Sequence, residues 1–290
     1  MNKEIAIKAT YFSIVGNIFL VIIKLLAGIF GNSHALISDA IESSGDIISS
    51  FFVFLGIRYS NKPADKKHPY GHGKAEPLVT FSVVLFLVAA ATVIAYGSIV
   101  SLGLEHKTPS YWTLFIIIPI IIWKEISFQF VMKKAKETNS SSLKADAWHH
   151  RSDAITSTAA FIGISIALIM GKGWEHADDW ASLFAAGFIY YNSYLILMPA
   201  VGEVMEESTF DDISKSIIEV AMSVEGVMGA EKCLISKYGM KYHSQLDIIV
   251  NSLLSVEKGH QIGHSVKELI YKQMPEIEHV TIHTEPSKTN

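Results

Sequence analysis

Cysteine is nearly absent from this chain: among 290 residues there is one, Cys233. A single thiol excludes an intrachain disulfide framework and any paired-thiol metal or redox motif, and leaves Cys233 as a buried residue of the tail. Charge is scarce too. Asp, Glu, Lys and Arg make up 18% of residues, where soluble domains carry about a quarter. The net charge of −4 is too small to imply a charged partner, and no basic patch interleaved with aromatics points to nucleic acid. HExxH, a P-loop, a nucleotide motif and a catalytic triad are all missing, so the sequence reads as a protein that is not an enzyme.

What the chain has is apolar length. Half of its residues are hydrophobic and its mean hydropathy is +0.32. Segments long enough to cross a bilayer recur at roughly 9–30, 34–58, 77–102, 111–133, 143–170 and 177–200. The first runs to Phe30 without a small-residue cleavage site and is read as a retained helix. Lys and Arg collect in the loops after the second and fourth spans (Arg58, Lys62, Lys66, Lys67 and Lys74, then Lys133, Lys134, Lys136 and Lys144), which places these loops and both termini in the cytoplasm. A prokaryotic cell inner membrane is the expected location. The expected division is a six-helix transmembrane bundle over 1–205 and a soluble cytoplasmic domain over 206–290. In the latter the patterns follow the order αββαβ, with Ser255 as N-cap of the second helix; the class is α+β with a mainly antiparallel sheet.

The second span carries Asp39, Glu42 and Asp46 in "DAIESSGDIISS", and the fifth carries "DAWHHRSDAITS". At an offset of 107 the two segments share Asp39/Asp146, Ala40/Ala147, Asp46/Asp153, Ile48/Ile155 and Ser50/Ser157, while Glu42 falls opposite His149. Each copy sets a ligand-type residue four before an Asp, on one helical face. An Asp at a helix centre costs roughly 2.5–3.5 kcal/mol on insertion, so three acids need a metal cation, protons or Arg151 to offset them. Corresponding polar breaks in two apolar segments mark a midplane site. Glu42, Asp46, His149 and Asp153 supply four N and O donors, which suits a tetrahedral divalent ion, Zn²⁺ first. Asp39 and Asp146 are either outer partners of these ligands or helix-packing residues. His150, beside the better-phased histidine, is read as a bystander.

"SDAIESSGD", "PADKKHPYGHGKAEP" and "DAWHHRSDA", in this order and on these spans, resemble the cation diffusion facilitator family over nearly the whole chain. The resemblance implies a homodimeric, six-span exporter of divalent metals driven by proton exchange, with a ferredoxin-like cytoplasmic domain. It also implies that Glu42, Asp46, His149 and Asp153 form the transport site. Glu42 departs from the His or Asp usual in zinc members, which moves the site toward Fe²⁺ or Mn²⁺. The resemblance further marks Asp65, His68 and His72 as a loop metal site. Asp247, His260, His283 and Glu285 become a cytoplasmic cluster that senses metal and clamps the dimer, with Glu231 where relatives can have a histidine. For His243 the sequence does not choose between cluster and surface.

The expected mechanism is secondary transport. Deprotonated His149 and three carboxylates capture the metal from the cytoplasm, the spans tilt, and protons compete for the same ligands on the far side. Zn²⁺ is the leading cargo, with Fe²⁺, Mn²⁺ and Cd²⁺ as further candidates. The partners are metal cations, protons, the lipid bilayer and a second copy of the chain. A metal-gated channel without proton coupling is the alternative. A membrane metalloenzyme ranks last, because four protein ligands leave no position for a catalytic water.

Overall fold

In a membrane, large apolar side chains face outward and small or polar ones face inward, because lipid is as apolar as leucine. The first helix, α1 (Asn2–Phe30), has that inverted pattern. Ala6, Ala9, Thr10, Ser13, Asn17 and Lys24 are buried on one face, while Val15, Phe19, Ile22 and Leu26 are exposed on the other. The computed structural model describes residues 2–30, 34–102, 112–171, 174, 177–208 and 210–287, with the side chains of the second helix described from Ser43 onward. Within it the chain divides into two units, Met1–Ala200 and Val201–Asn290.

The first unit is built from α1 and five further helices: α2 (His34–Ser60), α3 (Ala75–Ser101), α4 (Trp112–Thr138), α5 (Ser141–Met170) and α6 (Ala177–Val204). Among the described residues, five are long and apolar enough to span a bilayer. The chief neighbours are α1 with α2 and α4 with α5, and α2 also meets α3 and α5. Gly56 lets α2 approach α3 closely, since a Cβ there would run into Val79. Thr92 and Tyr190 hydroxyls, 2.7 Å apart, join α3 to α6. Trp123 of α4 stacks on Phe12 of α1 with ring centroids 5.8 Å apart.

At the N-terminal end of α3, Glu76 is fully buried. Its Oε1 accepts the Ser140 hydroxyl, the Ser142 hydroxyl at 3.1 Å and the Ser142 backbone N–H at 3.3 Å. The start of α3 is thereby bonded to the turn from which α5 begins. Ser140 also caps that turn, accepting the Leu143 N–H at 3.2 Å.

The second unit contains α7 (Asp211–Met222), β1 (Val227–Tyr238), β2 (Lys241–Val250), α8 (Val256–Gln273) and β3 (Ile277–Pro286), the expected αββαβ order. Ser255 caps α8, accepting the Lys258 N–H at 3.2 Å. Even-numbered residues of β2 (Tyr242, Leu246, Ile248, Val250) pack with Ile217 of α7 and with Ile262, Val266 and Ile270 of α8. The odd-numbered ones, Asp247 among them, lie on the other face. One expectation fails. The sheet is mixed rather than mainly antiparallel: β1 pairs antiparallel with β2, and β2 pairs parallel with β3 in the order β1-β2-β3. After β2 the chain returns along α8, so β3 starts beside the start of β2 and runs with it.

Candidate metal site

The α2 and α5 helices bring Asp46, His149 and Asp153 together, with one ligand atom from each within 4.8 Å of the others. His149 Nε2 lies 3.0 Å from Asp46 Oδ1 and 3.9 Å from Asp153 Oδ2. The i, i+4 spacing on α5 puts His149 and Asp153 on one face, and the two helices are neighbours there. Glu42, like Asp39, lies outside the residues whose side chains are described.

The cation that offsets these acids is one the sequence reading missed. Lys124 of α4 is 2% exposed, and its Nζ donates to Asp46 Oδ2 at 2.8 Å and Asp153 Oδ2 at 2.7 Å. A third donor reaches Asn17 Oδ1 at 3.3 Å. Lys24 of α1, also buried, donates to the Ser43 hydroxyl at 2.7 Å. Both lysines line a cavity of about 370 Å³ together with Asp46, Ser49, His149 and Asp153. The signal was available. Both follow apolar runs, "VIIK" and "IIIWK", and an ionisable residue at that depth marks function by default.

Arg151 does not offset Asp46 and Asp153. Its guanidinium bonds both carboxylate oxygens of Glu125 and stacks 4.8 Å over Phe128. Helix geometry explains this: Arg151 and Asp153 are two residues apart on α5, a little over half a turn, and face different directions. Asp146 takes a packing role. Fully buried, it accepts the hydroxyls of Ser13 at 2.8 Å and Ser50 at 2.9 Å, tying α5 to α1 and α2. His150 belongs to the same knot, with Nε2 3.0 Å from Ser13 Oγ.

The loop between α2 and α3 gathers Asp65, His68 and His72. Asp65 Oδ1 accepts the backbone N–H groups of Lys67 and His68, both at 2.8 Å. These bonds, that of His68 first, hold its carboxyl below the usual aspartate value. The carboxylate lies 3.4 Å from His68 Nδ1 and 3.3 Å from His72 Nε2. Gly71, at φ +88°, supplies the left-handed residue that turns the chain between the two histidines. His72 is buried against the edge of Tyr59, with ring centroids 4.9 Å apart.

In the second unit Asp247, His283 and Glu285 come together on the open face of the sheet. Asp247 and His283 are register partners, and Glu231 is the partner of Asp247 on the other side. His260 is not part of this group, contrary to expectation. On α8 it shares a face with His264, the ring centroids 4.6 Å apart, beside a groove that also holds His279. Because α8 covers the core face of the sheet, its side chains do not reach the face that bears Asp247. Lys232 joins the group instead, 3.5 Å from Asp247 Oδ2 and 3.9 Å from Glu285 Oε1. A register shift between Glu231 and Leu234 places it there, with φ at 48°. His243 stacks on Tyr238 at 3.9 Å, with the rings nearly parallel, outside the group.

Residues 10–205 match the cation efflux transmembrane domain, and residues 211–287 match the cation efflux protein cytoplasmic domain. The manganese efflux system protein MneP of Bacillus subtilis is 30% identical over 98% of this chain and 97% of its own length. The cation-efflux pump FieF of Pectobacterium carotovorum is 27% identical over 97% and 91%. A solved variant of MamM-CTD covers 27% of this chain and 98% of its own, at 23% identity and a TM-score of 0.26. With both domains matched in order along nearly the whole length, the chain belongs to the cation diffusion facilitator family of membrane metal-efflux transporters.

Proposed function

We propose that this protein exports divalent transition metal ions from the cytoplasm in exchange for protons, through a site made by Glu42, Asp46, His149 and Asp153. The observation that carries the reading is the convergence of Asp46, His149 and Asp153 from two helices beside a buried cation in a cavity of about 370 Å³. Metal binding requires deprotonated ligands, so protons and metal compete for one set of atoms and an inward proton gradient discharges the metal. Three carboxylates against one imidazole make a hard donor set, and the relative from Bacillus subtilis is named for manganese. Mn²⁺ is therefore the first cargo to test, ahead of Fe²⁺ and Zn²⁺.

Residues 1–205 form the membrane part in this reading, with both termini and the loop that bears Asp65 in the cytoplasm. Residues 206–290 form the cytoplasmic part, which pairs two subunits and binds regulatory metal at Asp247, His283 and Glu285. The test is uptake into proteoliposomes across a panel of Mn²⁺, Fe²⁺, Zn²⁺ and Cd²⁺, with and without an imposed pH gradient. Uptake that scales with the gradient, and internal pH that moves in the opposite sense to metal, supports exchange. Electrodiffusive flux with no pH response makes the protein a channel.

A further inference from the structure

A lysine in the middle of an apolar helix costs about as much to insert as an aspartate, roughly 2.5–3.5 kcal/mol, so its retention demands a partner or a task. Lys124 has partners in full. Its ammonium has three donors, and three oxygens receive them: Asp46 Oδ2 at 2.8 Å, Asp153 Oδ2 at 2.7 Å and Asn17 Oδ1 at 3.3 Å. Two of those acceptors belong to the carboxylates assigned above to the cargo. Asp46 turns its other oxygen, Oδ1, to His149, but Asp153 Oδ2 is at once the ammonium's acceptor and the oxygen 3.9 Å from His149 Nε2. The ammonium therefore competes for oxygens that a bound metal would draw. A metal held by those oxygens at about 2.0–2.2 Å and an ammonium bridging them cannot share the position.

We propose that Lys124 is a tethered counter-cation that changes places with the cargo. Without metal it holds Asp46 and Asp153. A divalent ion displaces it into the adjoining cavity, and its return helps to eject the metal. The inference rests on the transport site proposed above, and the swing moves a fixed charge without loss of a proton. It also assigns a specificity role. A monovalent ion such as K⁺ gains no charge over the ammonium it must displace, and it competes against a group tethered at high effective concentration. A divalent ion has twice the Coulomb attraction at equal distance and wins the exchange. Lys124 thus acts as a filter against the monovalent cations that would otherwise fill an acidic site.

The sign of one measurement separates this role from a supporting one. Groups that orient metal ligands raise affinity, and their removal weakens binding by about 10–100-fold. Removal of a competitor tightens it. Mn²⁺ binding is measured by calorimetry on the full-length protein, in a background where Asp65→Ala, Asp247→Ala and His283→Ala silence the other two clusters. Lys124→Gln is expected to bind Mn²⁺ at least about tenfold more tightly, a shift of the size outer groups produce but opposite in sign. It is also expected to lose affinity when choline chloride is exchanged for KCl at equal ionic strength, whereas the parent and Lys124→Arg bind alike in both salts. Weaker or unchanged Mn²⁺ binding by Lys124→Gln, or K⁺ sensitivity equal to that of the parent, overturns the proposal.

If Lys124→Gln does not fold, the structure of the metal-loaded parent decides. The ammonium is expected beyond hydrogen-bond reach of both carboxylates, and retention of both bonds overturns the exchange. The parent with Asp46→Ala and Asp153→Ala added is the reference for the site itself. Undiminished Mn²⁺ binding by that protein removes the transport site, whatever Lys124 does.

Discussion

At the intramembrane cluster the Lys124 side chain is 3% exposed and bonds its carboxylates at 2.7 to 2.8 Å, whereas at the tail cluster Lys232 is 68% exposed and stands 3.5 to 3.9 Å from its own. The ligand types are nearly the same, since each group combines a histidine with two carboxylates. Surroundings make the difference. Two unit charges 4 Å apart interact by about 1 kcal/mol in water and about 4 kcal/mol where the effective dielectric constant is 20. In the membrane the acids need a cation at all times, and the chain supplies one. On the sheet Asp247 is itself buried, but His283 and Lys232 stand in the open, so water reaches the group from their side and shares that work with the lysine.

The largest expected effect is on transport. Asp46→Ala or Asp153→Ala should reduce proteoliposome uptake by more than the roughly 10–100-fold typical of losing an outer partner. Asp247→Ala should leave uptake measurable, because it removes a ligand from the other solvent. Normal uptake by either intramembrane variant would break the comparison at its stronger side. Next in size is the tail. Residues 206–290 hold their own hydrophobic core, so the isolated fragment should bind metal and gain about 2.7 kcal/mol of stability at a hundredfold excess over Kd. Asp247→Ala with His283→Ala should erase that gain in thermal melts, and His260→Ala should not. A flat titration of the parent fragment would mean that the group binds only in the assembled dimer, or not at all.

Selectivity comes third. Glu42→His exchanges one oxygen donor for nitrogen and should raise uptake of Zn²⁺ relative to Mn²⁺, read by direct competition; an unchanged ratio takes Glu42 out of the site. Lys232→Gln should alter fragment stability by no more than the 0–1 kcal/mol of an exposed pair, and metal affinity by less than about fivefold. A larger change would make the two lysines equivalents. The smallest effect is in the loop. Asp65 is held below its ordinary value of 3.8, so the order it contributes is present above that pH and is lost as acid carries it through its lower folded value. An NMR titration of the Asp65 carboxyl should give a midpoint below 3.8; one at or above it would show that the two backbone bonds do not persist in solution.

Much of this was legible from the chain. Helical phasing put His149 and Asp153 on one face, and the doubled segment put Asp46 opposite them. Local chemistry likewise gave Ser255 as a cap and the order of the tail elements. What stayed hidden depends on contacts between distant segments. Lys124 meets acids 78 and 29 residues away, and no local pattern announces such a pairing. The parallel run of β3 follows from the path of α8 over the sheet, and so does the misplacement of His260, whose helix covers the core face while the metal-type group forms on the other. Arg151 misled because proximity along a helix is not proximity in space: two residues turn a side chain through more than half a circle.

Glu76 has a mechanical corollary. Three bonds from one buried carboxylate fasten the first turn of α3 to the residues from which α5 begins, about two turns before His149. A rocking motion that preserves those bonds pivots α5 about that end, so the lever arm lengthens toward the opposite face of the membrane. Displacement is then small at the Glu76 fastening, moderate at His149 and Asp153, and greatest where α5 ends at Met170.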